Sequence, residues 1–331
     1  MQLRVAVVYN DPCISKYDDL GESKAEEEVL STVDAVHRAL ERIGYCVFDV
    51  PLLPPLEHAK KLLKNLSADV VFNLFEGFCG YPETEADIPD ALTRLGIAYT
   101  GCSTSSIRHT LNKVESKKLL QHAGICTPEY QLLRPDTIAE FKLGYPCMVK
   151  PVCDDASHGI TPQSLVYDES SLAAQVEKIS GIFGGQALVE QFVEGREFNA
   201  TVLGNEEYTV FPVSEIQYDL PEGLPRILTY DAKWNPHSVY FQSTVAICPA
   251  DLSERDYSRI VTIARSAFRV LVGSGYGRVD MRMDTDGTIY VLEVNANPDI
   301  SPQAGAALQA GKMGLRYQQF IEKLVKLAWS N

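Results

Sequence analysis

Long apolar runs are missing from this chain of 331 residues. None approaches the ~18 apolar positions a membrane helix needs, so no transmembrane segment is expected. Positive charge is scarce: 30 Lys and Arg face 44 Asp and Glu, a formal net charge of −14. That balance argues against a basic surface for nucleic acid or anionic lipid, and leaves room for a local basic pocket that takes a small phosphorylated ligand. Cysteine pairs of the C-x-x-C kind are absent. None of the eight cysteines (Cys13, Cys46, Cys79, Cys102, Cys126, Cys147, Cys153 and Cys248) has a His at metal-ligand spacing. They read as thiols, mostly buried or incidental, in a reducing compartment, with Cys79 and Cys153 the two worth testing for reactivity. The start, MQLRVAVVYNDP, has too short an apolar stretch for a signal peptide and no small-residue cleavage site, so the cytoplasm is the expected location. No G-x-G-x-x-G follows the first strand-like segment, so the dinucleotide fingerprint is missing too.

Apolar residues make up 45% of the chain, enough to give each of two or three domains a core. The first ~100 residues alternate strand and helix: LRVAVVY, then a helical period over 26–44 that stops at Gly44, then YCVFDVPL and DVVFNLF, then a short helix in EADIPDALTRLGI. This βαβ pattern implies a parallel sheet. A helix over 112–124 follows, then strand-rich sequence through 145–152, 186–193, 196–204 and 208–218. A Pro- and Gly-bearing stretch, 219–243, reads as a loop or lid. A helix (253–272), two strands and a closing helix (316–329) complete the chain. The expected class is α/β, with α+β character in the central and C-terminal parts and boundaries near 102 and 186. That makes three domains: 1–102, 103–185 and 186–331.

Polar residues interrupt the last two strands in a pattern. In GRVDMRMDTDGTIYVLEVNANP the turn DTDG joins a hairpin in which Asp280 can face Glu293 and Asn295. Three oxygen ligands of this kind suit Mg²⁺, which takes one or two carboxylates together with phosphates and water. Arg278, two residues before Asp280, shares their face and is placed to touch a phosphoryl group. Lys113 opens a helix, and Lys150 breaks the apolar strand YPCMVKPV, where a lysine is costly unless an anion such as an ATP phosphate pairs with it. The polar loop VCDDASHGI that follows ends at Gly159 and suits phosphates held by backbone N–H groups. Glu190 and Glu197 flank a turn at Gly195, where acids can accept from an adenine amine and ribose hydroxyls.

Taken together these segments resemble the ATP-grasp superfamily, and within it the D-alanine:D-alanine ligase family, over almost the whole chain. GIAYTGCSTSSIRHTLNKVESKKLLQHAGICTP is similar to that family's central stretch, with Lys113 as first ATP lysine. PCMVKP resembles its second lysine motif, LVEQFVEGREFN its adenine and ribose segment, YDAKW its lid, and GRVDMRMDTDGTIYVLEVNANP its metal-binding hairpin. The resemblance implies an ATP-grasp fold behind an N-terminal parallel-sheet domain, with ATP clamped between the central and C-terminal domains. It implies ATP contacts from Lys113, Lys150, Ser157, Gly159, Glu190, Gln191, Phe192, Val193, Glu197 and Lys233. Metal ligation by Asp280, Glu293 and Asn295 would hold two Mg²⁺, with Mn²⁺ a substitute. Arg278, Lys233 and Glu26 take catalytic roles, Glu26 by holding the first substrate's ammonium group. The implied reaction phosphorylates a carboxylate and lets an amine displace the phosphate. A homodimer acting on small molecules, without nucleic acid or membrane, is also implied.

Departures from the family fall at substrate positions. The serine pair of the loop is Ala156-Ser157 here, the tyrosine after the lid lysine is Trp234, and Pro-Gly after the hairpin is Pro298-Asp299. The serine that receives the second substrate's carboxylate falls near Ala304, and the first-domain His-Gly becomes Glu76-Gly77. The pocket loses hydroxyls and gains carboxylates: Glu76, Glu83, Glu85 and Asp299. The expected activity is therefore ATP-dependent carboxylate–amine ligation on substrates other than two D-alanines. Genuine D-alanine:D-alanine ligation, and attachment of an amino acid to a non-peptide small molecule through a phosphorylated intermediate, stay open.

Overall fold

The computed structural model describes residues 2–329. Its first part holds β1 (Arg4–Asn10), α1 (Lys24–Ile43), β2 (Cys46–Leu52), α2 (Leu56–Lys64), β3 (Val70–Leu74), α3 (Asp87–Leu95) and β4 (Ala98–Tyr99). The strands pair in the order β2-β1-β3-β4, all parallel. β1 and β3 are almost wholly buried, as a sheet covered on both faces requires. α1 stops where Gly44 turns left-handed and its N–H bonds the Leu40 and Glu41 carbonyls. α2 is an addition to the sequence reading; its buried Ala59 and Leu63 lie one turn apart.

The central part holds α4 (Thr104–Leu111), α5 (Lys113–His122), β5 (Tyr130–Leu133), β6 (Cys147–Pro151), β7 (Leu165–Val166), α6 (Glu169–Phe183) and β8 (Ala187–Gln191). Its antiparallel sheet runs β5-β8-β6-β7. Asn112 ends α4 and caps α5, its side chain accepting from the Glu115 N–H at 3.1 Å. That cap puts Lys113 at the first position of α5. α6 was not expected from the sequence; it starts at the Asp168 capping box and packs Leu172, Val176 and Ile179 on the sheet.

The last part holds β9 (Gly195–Gly204), β10 (Thr209–Val210), β11 (Ser214–Tyr218), α7 (Tyr230–Trp234), α8 (Val239–Gln242), β12 (Thr244–Ile247), α9 (Glu254–Leu271), β13 (Gly275–Asp284), β14 (Ile289–Asn295), α10 (Gly305–Lys312) and α11 (Tyr317–Trp329). The antiparallel sheet runs β12-β11-β9-β13-β14, with β10 beside β9. β8 pairs with β5 and β6, so the central sheet ends at Gln191 and the last sheet begins with β9 at Gly195. The 219–243 stretch, read as loop or lid, carries α7 and α8. α11 leaves its own sheet and lies against the first: Phe320, Ile321, Leu324 and Val325 share a core with Val5, Val7, Phe72 and α1.

One cysteine expectation is corrected. Cys13 and Cys79 are joined in a disulfide, with Cα atoms 5.5 Å apart, whereas the sequence reading treated both as thiols. Two loops 66 residues apart in sequence meet there, and no local spacing announces such a pair. The other six cysteines are free.

Candidate active site

A cleft with about 880 Å³ of free space lies between the central sheet and the last sheet. Met148, Ile160, Phe192, Val193, Ile227 and Leu292 make an apolar slot at one end, the shape that suits a planar base. Lys113, Lys150, Lys233, Asp155, Asp280 and Glu293 line the rest.

The β13–β14 hairpin supplies the acidic wall. Asp280 pairs directly with Glu293 across the two strands, and Arg278 with Asn295. The register slips between Asp280 and Met281, so Leu292 is an extra residue. The bulge lets Val291 and Val294, three residues apart, both enter the core, while Leu292 and Glu293 face the cleft. Burial works against the charge of Glu293, yet Lys113, Lys150, Lys233 and Arg278 outweigh it and hold the carboxyl down at about 2. Arg278 donates from Nε and Nη2 to the two oxygens of Asp280, at 2.7 and 2.8 Å. Asn295 accepts from the Asn297 N–H at 2.8 Å.

No group of three His, Cys, Asp or Glu side chains able to hold a metal occurs among the described residues. A cage built wholly from such ligands is therefore not offered. Two cross-strand carboxylates beside one amide oxygen is instead the donor set of a cation that keeps water and substrate phosphates in its shell, so the residues present fit Mg²⁺.

Three lysines converge from three elements. Lys113 donates to the Asp154 carbonyl and lies 3.4 Å from Asp155 and 4.0 Å from Glu293. Burial disfavours its charge, but Asp155, Glu293 and Asp154 prevail and raise its pKa. Lys150 pairs with Glu190 at 3.0 Å. Lys233 reaches the cleft from α7, its pKa lowered by burial and by Arg278.

At the apolar end, Glu190 is 3% exposed. Glu197 is fixed by Arg282 (Nη2 at 2.7 Å, Nε at 3.0 Å) and by the Tyr218 hydroxyl at 2.8 Å. Arg282 also donates to the Val193 carbonyl and lies over the Phe192 ring, 4.7 Å from its centroid. The sequence reading passed over Arg282. Its spacing, two residues after Asp280 on one strand face, was the available signal.

The loop 153–160 departs from expectation at Gly159. Its N–H donates to Glu22 at 3.0 Å rather than pointing at the cleft, and a Cβ there would meet the Phe183 ring at 2.6 Å. Ser157 lines the cleft and donates to the Leu228 carbonyl of the lid. Trp234 donates from its indole to the Ala156 carbonyl at 3.1 Å, and the Tyr230 N–H bonds the Ile160 carbonyl. The first part reaches the same loop: Tyr17 donates to Asp154 and stacks on His158, which pairs with Glu22 at 3.1 Å.

The remaining substrate candidates lie outside the cleft lining. Glu26 sits in the first turn of α1, and its side chain lies outside the described residues. Glu76 is exposed on the loop after β3, its N–H bonded to the Asn10 side chain. Asp299 accepts from the Ser301 N–H and hydroxyl, and Ala304 caps α10 without a side-chain bond. Glu85 is buried; burial first, then Asp155 and Glu76, push its pKa well above the ordinary carboxyl value against a hydrogen bond from Asn297.

Comparison with known proteins identifies the family. Residues 119–326 match the family model described as D-ala D-ala ligase C-terminus. An uncharacterised protein, y4sG, of Sinorhizobium fredii is 32% identical over 89% of this chain and 86% of its own length. A D-alanine–D-alanine ligase of Laribacter hongkongensis is 30% identical over 93% of this chain and 94% of its own. Among solved structures, a D-alanine–D-alanine ligase of Bacillus anthracis superposes with a TM-score of 0.77 at 21% identity, covering 99% of this chain and 98% of that one. The VanG D-Ala:D-Ser ligase of Enterococcus faecalis gives 0.76 at 21% identity, over 99% and 100%.

Proposed function

The chain belongs to the D-alanine–D-alanine ligase family of ATP-grasp enzymes, and from that premise we propose that it joins a carboxylate to an amine at the expense of ATP, on substrates other than two D-alanines. The observation that carries the ligase reading is the convergence of Lys113, Lys150 and Lys233 with the Asp280–Glu293 pair in one cleft that ends in an apolar slot.

In this reading the base lies in the slot between Phe192, Val193 and Ile227, with Glu190 and Glu197 accepting from its amine and from the ribose. The three lysines bind the phosphates. Asp280, Glu293 and Asn295 would hold Mg²⁺, which when bound supplies charge neutralisation at the β- and γ-phosphate oxygens. The substrate carboxylate attacks the γ-phosphorus, ADP leaves, and an acyl phosphate remains. The amine then attacks the acyl carbon. Arg278 keeps Nη1 for the oxyanion of that tetrahedral intermediate, because Asp280 takes its Nε and Nη2. Phosphate leaves as the amide forms. The lid, bonded to 156–160 through Trp234, Tyr230 and Leu228, excludes water that would hydrolyse the acyl phosphate.

What supports a substrate other than two D-alanines is the acidity of the neighbouring wall. Glu85 is buried without a cation among the described residues and feels Asp155 and Glu76. These surroundings favour the protonated acid, and a cationic or amine-rich acceptor brought against it would favour the ionised form instead. We place the reaction in the cytoplasm and the enzyme in a homodimer; no helix among the described residues is long and apolar enough to cross a membrane, and light scattering tests the dimer. The deciding experiment is substrate-dependent ADP release with ATP, Mg²⁺, single amino acids of both hands and simple amines, with products read by mass spectrometry. Condensation of another pair with D-alanine silent is the expected result. Efficient formation of the D-alanine dipeptide overturns the substrate reading, and no ADP release with any pair overturns the ligase reading.

A further inference from the structure

Behind the cleft lies a lysine that the mechanism leaves unused. Lys117, in the second turn of α5, is 1% exposed. Its ammonium lies 2.9 Å from Glu190 Oε1 and donates to Thr127 Oγ1 at 2.8 Å. The other oxygen of Glu190 is held by Lys150 at 3.0 Å. Glu190 and Lys150 both line the cleft; Lys117 does not. One buried carboxylate thus has two counter-ions, one on the ligand side and one on the far side.

The two lysines are not equivalent. A phosphate entering the cleft competes with Glu190 for Lys150. If Lys150 were the sole counter-ion, its departure would strand a buried carboxylate, which would keep the lysine or take up a proton. A protonated Glu190 would donate toward the base where an exocyclic amine needs an acceptor. With Lys117 behind it, Glu190 stays ionised and Lys150 is released. Burial, then repulsion from Lys150, lowers the Lys117 pKa to about 8, as two cations sharing one carboxylate require, and release of Lys150 to a phosphate relieves that repulsion.

We infer that Lys117 is a positioning residue for nucleotide selection: it holds Glu190 as an anionic acceptor for the amine of the base and frees Lys150 for the phosphates. This rests on the ATP reading of the cleft. The test compares ATP with inosine triphosphate, whose base has a carbonyl where adenine has an amine, by isothermal titration and by nucleotide KM and kcat. Wild type is expected to prefer ATP; if it binds neither nucleotide, the ATP reading fails first. In Lys117→Met the KM for ATP should rise about tenfold or more, with kcat changed less, and the preference over inosine triphosphate should collapse. Lys117→Arg should restore the preference. An unchanged ATP preference in Lys117→Met, with both nucleotides weakened alike, overturns the inference. If Lys117→Met does not fold, Glu190→Gln and Glu190→Gln with Lys117→Met are compared. Equal nucleotide preference in the two supports the inference, and a further shift on removing Lys117 overturns it.

Discussion

The lysine-lined cleft and the acidic wall around the buried Glu85 handle charge in opposite ways. In the cleft, charges are matched within the protein: Glu190 by Lys117 and Lys150, Glu197 by Arg282, Asp280 by Arg278, Lys113 by Asp155. On the wall, Glu85 is buried and bonded by the Asn297 amide, and the neighbouring Asp155 and Glu76 add to its cost of ionisation. The cleft is organised before any ligand arrives. On the wall the surroundings hold the Glu85 carboxyl in its protonated form. Matched pairs fix the side chains of the cleft in place, whereas a buried acid without such a pair responds to what is brought against it.

The largest expected effect lies in the cage. Glu293→Gln should lower turnover by roughly 10²–10³-fold or more, the scale of losing a preorganised charge at a reacting centre, while circular dichroism shows the fold intact. Activity within a few-fold of wild type would erase the distinction between the two regions. Lys150→Ala comes next. It removes a charge-assisted contact of about 1.5–3 kcal/mol, and titration should show nucleotide affinity down by ~10–150-fold.

A smaller effect is expected where the lid meets the loop. Trp234→Phe deletes the bond to the Ala156 carbonyl, about 1 kcal/mol, and should raise ADP release uncoupled from condensation several-fold. Equal coupling in the variant would show that the lid seals without that bond. The smallest effect belongs to the wall. The folded protein holds the Glu85 proton to higher pH than the unfolded chain does. Its contribution to stability is therefore complete below the ordinary carboxyl value and is lost as pH rises through the folded value. Glu85→Gln removes this loss, so its melting temperature relative to wild type should climb between pH 5 and pH 8. A constant difference would mean that the wall carries no strain.

Much of this was legible because it is local. The cap at Asn112, the stop at Gly44 and the DTDG turn each lie within a few residues of what they control. The turn alone sets the pairs from Met283–Ile289 to Met281–Val291 and would put Asp280 opposite Leu292; the bulge moves it to Glu293. The bulge was not legible: strict alternation would put Val291 on the face of Glu293, and only the extra Leu292 separates them. α6 left a signal in Leu172, Val176 and Ile179 that its Ser- and Gly-bearing composition obscured. Lys117, the partners of Arg282 and the Cys13–Cys79 bond were hidden for another reason. Each depends on a partner 66 to 89 residues away, and no sequence period encodes that proximity. Gly159 reads as a phosphate loop glycine, yet Glu22, 137 residues earlier in the chain, takes its N–H.

The last helix has a bearing on how the chain comes to exist at all. α11 covers one face of the sheet that the first strands build. A ribosome adding about 5–20 residues per second emits β1, α1 and β3 long before Phe320, Ile321 and Leu324, so the part of that face left over by α1 stays exposed for tens of seconds. The earliest part of the protein to be made is thus among the last to be finished, and loss of 317–329 would leave one side of its core permanently uncovered, a target for chaperones and proteases.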